Sequence, residues 1–182
     1  MRKIIRNIML VLVALFVCSS CEQEVGFKDY VNYLNDSMKS VNTIESNIKA
    51  YDTTILVYEY NNLTVFIDAG NAEITKTITS LNNSFELETK TEKNTVESIN
   101  RDNLLNINLD ESLLNNLKID EGKLTFSVTP SNINKVLNYK DLVISSDAEF
   151  ELSFTNEKIS NIKIMLVTAS NKNVEVNISY LY

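Results

Sequence analysis

The apolar positions change period part-way along the chain. From Phe27 to Lys49, the residues Phe27, Tyr30, Val31, Leu34, Met38, Val41, Ile44 and Ile48 recur at spacings of three and four. That stripe has the 3.6-residue period and predicts one long amphipathic helix. After Ala50 the period becomes two. Thr53–Tyr60, Leu63–Asp68, Ala72–Leu81 and Phe85–Lys90 read as strands, separated by turn signals at Asn61-Asn62, Ala69-Gly70-Asn71 and Asn82-Asn83. Their even spacing and short polar turns predict an antiparallel meander.

The middle of the chain carries weaker patterns. Thr95–Asn108 has room for a further strand around Ile107, and Asp110–Leu117 reads as a short helix capped by Asp110. Lys123–Thr129 is a strand with Leu124, Phe126 and Val128 on one face. Pro130-Ser131-Asn132 opens a second short helix with Ile133, Val136 and Leu137 apolar. Then Ala148, Phe150, Leu152 and Phe154 alternate with polar residues, Asn156-Glu157-Lys158 makes a hairpin loop, and Ile159–Val167 returns. Val174, Val176, Ile178 and Tyr180 alternate in a last strand. The expected domain is α+β over 27–182: a curved antiparallel sheet, with the long N-terminal helix and the short helices packed on one face.

The residues before this domain follow another logic. Arg2, Lys3 and Arg6 precede an uncharged apolar run from Ile8 to Val17, then Ser19, Ser20 and Cys21. A basic head, a short apolar stretch and small residues make a secretory signal peptide over 1–20. The apolar stretch is far shorter than the ~20 residues that span a bilayer. Val17-Cys18-Ser19-Ser20-Cys21 resembles a bacterial lipobox. That resemblance implies cleavage between Ser20 and Cys21, a lipid on the Cys21 thiol, and 21–26 as a lipidated tether. Cys18 departs from the pattern, where the family usually has Leu.

Composition narrows the chemistry. The chain has no His, no Trp, two Cys and a net charge of -7. Lack of histidine excludes Ser-His-Asp and Cys-His mechanisms and most zinc sites. Three scattered glycines make no phosphate-cradling loop. Removing residues 1–20 takes away Arg2, Lys3 and Arg6 and no acidic residue, so the charge moves from -7 to -10. Such a chain repels nucleic acid and anionic membrane surfaces, which leaves the lipid as the membrane anchor. With at most one cysteine left, no internal disulfide staples the fold, and it stands on its core.

The order of helix, meander, short helices and final strands resembles the half-barrel lipoproteins and lipid carriers of the LolA/LolB and LppX/LprG type. The similar stretch is mainly Lys123–Tyr182, with Pro130–Leu137 as short helix and Asn156-Glu157-Lys158-Ile159 at the hairpin. That resemblance implies a curved sheet wrapping helices around a space for acyl chains.

Candidate chemistry in the mature chain rests on carboxylates. Glu149 and Glu151 share one strand face, as do Glu86 and Glu88. They alternate with Phe150 and Leu87, which claim the buried side, so a solvated face is expected rather than an acid–base dyad. Asp110, Glu111, Asp120 and Glu121 could gather around Ca²⁺, but their spacing fits no loop motif. Tyr58, Tyr60, Tyr180 and Tyr182 suit strand packing better than a stacking platform. Asn62 and Asn82 stand in Asn-x-Ser/Thr triplets, which carry little weight in bacteria. The expectation is a non-catalytic lipoprotein of the cell envelope, lipid-anchored on the extracytoplasmic side, with no metal or cofactor and no nucleic-acid partner. It would bind a lipid or other amphiphile; the alternative is a surface or envelope interaction module without a small ligand.

Overall fold

The computed structural model describes residues 25–52, 58–82, 84, 86–101, 104 and 107–182. The signal peptide, Ser20 and Cys21 lie outside these residues, as do Thr53–Val57 of the first expected strand and Phe85.

The described chain is dominated by one antiparallel sheet of nine strands, in the order β4-β3-β2-β1-β9-β8-β7-β6-β5. The strands are β1 Thr43–Tyr51, β2 Tyr58–Asp68, β3 Asn71–Leu81, β4 Leu87–Val96, β5 Asn115–Asp120, β6 Lys123–Val128, β7 Ala148–Thr155, β8 Lys158–Val167 and β9 Asn173–Leu181. Helix α1 spans Phe27–Ser40 and α2 only Ile133–Val136. The fold is therefore mainly β, not α+β with a long N-terminal helix.

The correction lies in residues 41–51. Helix α1 stops at Ser40 after fourteen residues, and Thr43–Tyr51 is the central strand β1. Ile44 and Ile48 fit both readings, because a spacing of four is one helical turn and also two pleats of a strand. The sheet settles the choice. The N–H of Asn42 donates to Leu181 O at 2.8 Å and Asn42 O accepts from Ile67 N–H at 2.7 Å, which captures the chain between β9 and β2. No Gly or Pro marks the stop.

Three further expectations change. Asn61 and Asn62 lie inside β2, opposite Ile48 and Asn47, and do not form a turn. Asp110 does cap, accepting from Ser112 N–H at 3.0 Å, but the capped element is one 3-10 turn at Glu111–Leu113. Strand β5 follows where a helix was expected, with Asn116 at φ 53 breaking any helical continuation. Among the described residues there is no strand around Ile107; Glu97–Arg101, Leu104 and Ile107–Asp110 carry none.

Strands β3, β6, β7, β8 and β9 lie where alternation places them, whereas β4 runs Leu87–Val96 rather than Phe85–Lys90 and Leu87 is exposed rather than buried. Strands β7 and β8 join through Asn156 and Glu157, at φ 51 and 61, between paired Thr155 and Lys158. Two left-handed residues make the I′ type of turn that suits the twist of a hairpin. A bulge between Ser153/Asn161 and Phe154/Ile159 lets Ile159 and Ile162 both face inward at a spacing of three.

The inner face of the sheet carries the core. Leu124, Phe126, Phe150, Leu152, Ile159 and Ile162 are buried on it under α1. Tyr30 of α1 meets Phe154 edge-on at 4.8 Å, and its hydroxyl donates to Asp120 O and accepts from Gly122 N–H, each at 3.0 Å. Gly122 needs its φ of +69, and a Cβ there would stand 3.0 Å from Phe154 O. The outer face is polar. Thr77 meets Thr91 and Thr79 meets Thr89 across strands at 3.2 and 3.0 Å. Asn161 donates to Asn177 and Asn47 to Asn62. Much of the Asn-rich composition thus serves strand faces as well as turns.

Candidate functional site

Helix α1 packs chiefly on β8 and leaves the β1–β4 side of the inner face without a helical layer. That side is roofed by the segment after β4. Ile99, Leu104 and Ile107 descend from it toward the sheet, joined by Leu137 beyond α2. Between roof and sheet lies a partly open cavity of about 430 Å³. Its floor is Ile44 and Ser46 on β1, Leu63 and Val65 on β2, and Ala72 and Ile74 on β3. Val96, Ile164, Ile178 and Tyr180 complete the wall. Small-ligand sites commonly hold ~300–1,000 Å³ and are mostly apolar, as this one is.

Strand pairing explains why these side chains converge. Ile44 is opposite Val65 on one side and Tyr180 on the other, Val65 is opposite Ile74, and Ser46 is opposite both Leu63 and Ile178. Directly opposed residues share a face, so the pairs make a continuous apolar floor. Small Ser46 and Ala72 leave the volume that the side chains under α1 fill elsewhere.

Four backbone and side-chain bonds hold the roof. Ile99 N–H donates to Gly70 O at 2.8 Å, and Asn108 N–H to Val136 O at 2.7 Å. Arg101 Nη1 donates to Val41 O at 2.7 Å and Met38 O at 3.3 Å, which ties the roof to the end of α1. Those carbonyls are among the groups that a helix C-terminus leaves without intrahelical partners, and a cation there also complements the helix dipole.

The floor turns polar along the strands. One pleat beyond Ile74, opposite Leu63, stands exposed Lys76; opposite Ile74 and Lys76 on β4 stand Asn94 and Glu92. One pleat before Leu63 is Asn61, whose Oδ1 is buried without a hydrogen-bond partner while its Nδ2 donates to Glu59 at 2.8 Å. Tyr180 is the one ordinarily titratable side chain in the described lining. Its burial pushes the phenol well above its usual range, so it is neutral at any physiological pH.

The residues singled out in the sequence lie elsewhere. Glu149 is exposed on the outer face, and Glu151 pairs with Lys123 at 3.0 Å. Glu86 and Glu88 are exposed, and Glu88 meets Lys90 at 3.4 Å. Asp110 and Glu111 do not gather with Asp120 and Glu121, and no cluster able to hold a metal occurs among the described residues. Tyr180 faces inward while Tyr60 meets Asn47 on the outer face, and Tyr182 donates to Ile159 O at 2.7 Å, so these tyrosines form no platform. Tyr58 has no described side chain. Asn62 bonds Asn47, and Asn82 Oδ1 accepts from Ser84 and Glu86 N–H in the β3–β4 turn. Ile99 and Leu104 were not singled out in the sequence. Their signal is weak: Ile99 stands alone among polar residues, and Leu104 precedes the alternation of Leu105, Ile107 and Leu109 without belonging to it.

No protein family model matches the chain. No curated protein matches it in sequence. Among solved structures, a redesigned β-barrel, mFAP1, bound to DFHBI is similar at TM-score 0.24 and 10% identity, over 79% of this chain and 97% of that one. An N-terminal dehydratase from the difficidin assembly line is similar at TM-score 0.18 and 6% identity, over 84% and 85%. Likenesses this distant carry no inference about function.

Proposed function

We propose that this chain is a bacterial lipoprotein, anchored on the extracytoplasmic side through Cys21, whose β domain binds the apolar chain of an amphiphile without catalysis. The observation that carries the binding is the cavity of about 430 Å³ between the β1–β4 floor and the roof at Ile99, Leu104 and Ile107. Its lining would gain ~0.8 kcal/mol for each methylene that it takes from water. The passage from Ile74 and Leu63 to Lys76, Asn61 and Glu92 supports an amphiphile over a wholly apolar ligand, because tail and head would each meet a matching surface. The Cys21 anchor is supported by the basic head, the apolar run and Ser19-Ser20-Cys21.

The test uses residues 22–182 made without the signal. Organic extraction and mass spectrometry should recover an amphiphile in stoichiometric amount, or the empty domain should take up a fluorescent fatty acid. Ser46→Phe, placed at the middle of the floor, should abolish uptake while the far-ultraviolet spectrum is unchanged. An empty domain that takes up no probe sinks the reading.

A further inference from the structure

The two edges of the sheet differ. Strand β5 is six residues long, is bulged against β6 and contains Asn116 at positive φ, which are devices that blunt an edge. Strand β4 has none of these. It pairs with β3 in unbroken register from Leu87 to Val96, contains neither Pro nor Gly, and is exposed along all ten residues. Among the described residues no strand pairs with its outer edge.

Charge and parity on that edge are self-complementary. In an antiparallel pair, two opposed residues either both bond across the pair or both point away. A two-fold pairing of β4 with itself must therefore oppose residues of like parity, and every allowed register centres on one residue. Centring on Lys90 opposes Lys90 to itself and Glu88 to Glu92; centring on Glu92 opposes Glu92 to itself. Centring on Thr91 opposes Lys90 to Glu92 twice, Glu88 to Asn94 twice and Thr89 to Lys93 twice. It places no like charges opposite each other and overlaps nine residues, Leu87 to Thr95. Charges that protect an edge against other strands here match a second copy of the same strand. Lys76, opposite Glu92 on β3, would extend the alternation to Lys76, Glu92 and the copy's Lys90.

We infer that β4 is a self-recognition edge, at which two copies of this chain pair antiparallel about Thr91 to continue one sheet through both. This inference is independent of the cavity and of the anchor. The test is single-cysteine crosslinking of the full chain, in solution or in whichever membrane fraction holds it, with the unsubstituted chain reporting any crosslink through Cys18 or Cys21. Thr91→Cys should give a disulfide dimer on mild oxidation, because position 91 meets itself. Thr89→Cys and Lys93→Cys should not, since each lies four residues from its own copy. Adding Lys90→Glu to Thr91→Cys opposes two carboxylate pairs and should abolish the dimer. Adding Glu92→Lys as well restores the pairs and should restore the dimer. All these positions are exposed, and circular dichroism checks that each variant is folded. Lack of a Thr91→Cys dimer in the folded protein overturns the inference. So does equal crosslinking at 89 and 91, or a dimer that ignores the charge swaps.

Discussion

Ser37 lies on the buried face of α1, where an apolar residue would be the simpler choice, and is 1% exposed. Its hydroxyl accepts from Ile159 N–H at 2.9 Å and donates to Tyr33 O at 2.5 Å. Ile159 sits at the β7–β8 bulge, so Ser37 satisfies a donor that the ladder has released. Ser37→Ala should lower stability by ~1–3 kcal/mol, the cost of a buried unpaired amide, seen as a lower urea midpoint at unchanged slope. Tyr180 offers a second residue-scale prediction. Burial raises its pKa, with the neighbouring Tyr182 adding to the rise, so the fold favours the neutral phenol. That preference is fully present below the unfolded value near 10.0 and is lost as pH rises through the folded-state pKa. Alkaline unfolding should therefore begin above about pH 10, and Tyr180→Phe should move its onset upward. Sequence alone placed Tyr180 on an inward face, but alternation cannot tell a cavity wall from a packed core.

At the scale of elements, the roof over the cavity depends on few bonds, and Arg101 makes two of them. Arg101→Ala should speed amide exchange at Ile99 and Asn108 and weaken fatty-acid uptake several-fold, while strands β6 to β8 keep their protection. Equal loss of protection across the sheet would show a general structural role instead. The roof was illegible in the sequence because Leu105, Ile107 and Leu109 alternate as a strand would while Ile99 and Leu104 fall outside that alternation, and its described residues are held by Gly70, the end of α1 and Val136. Strand β1 was misread for a different reason: Ile44 and Ile48 satisfy two periods at once. Strand β5 was misread because Leu113, Leu114 and Leu117 have helical spacing, while Asn116 at φ 53 breaks the helix locally.

At the scale of the molecule, a separate anchor and domain make separable predictions. Cys21→Ala should release the protein from membranes and abolish labelling by a fatty-acid analogue, without altering fatty-acid uptake by the released full chain. Retention of that variant in the membrane would sink the lipobox reading. Within the domain, shortening a bound acyl chain by one buried methylene should weaken affinity about fourfold, since each contributes ~0.8 kcal/mol. A flat dependence on chain length would mean that the tail does not enter the cavity.

Alternation and turn residues determined the strands from Lys123 to Tyr182, strand β3 of the meander, the cap at Asp110 and the outward side of Glu149 and Glu151. These follow from local periods and from backbone preferences of a few residues, which a chain carries wherever it folds. The tertiary structure decided the end of α1, the central place of β1 between β2 and β9, and the cavity. Each of these requires partners more than a hundred residues apart, such as Asn42 and Leu181, and no local pattern records which partner a strand edge will find.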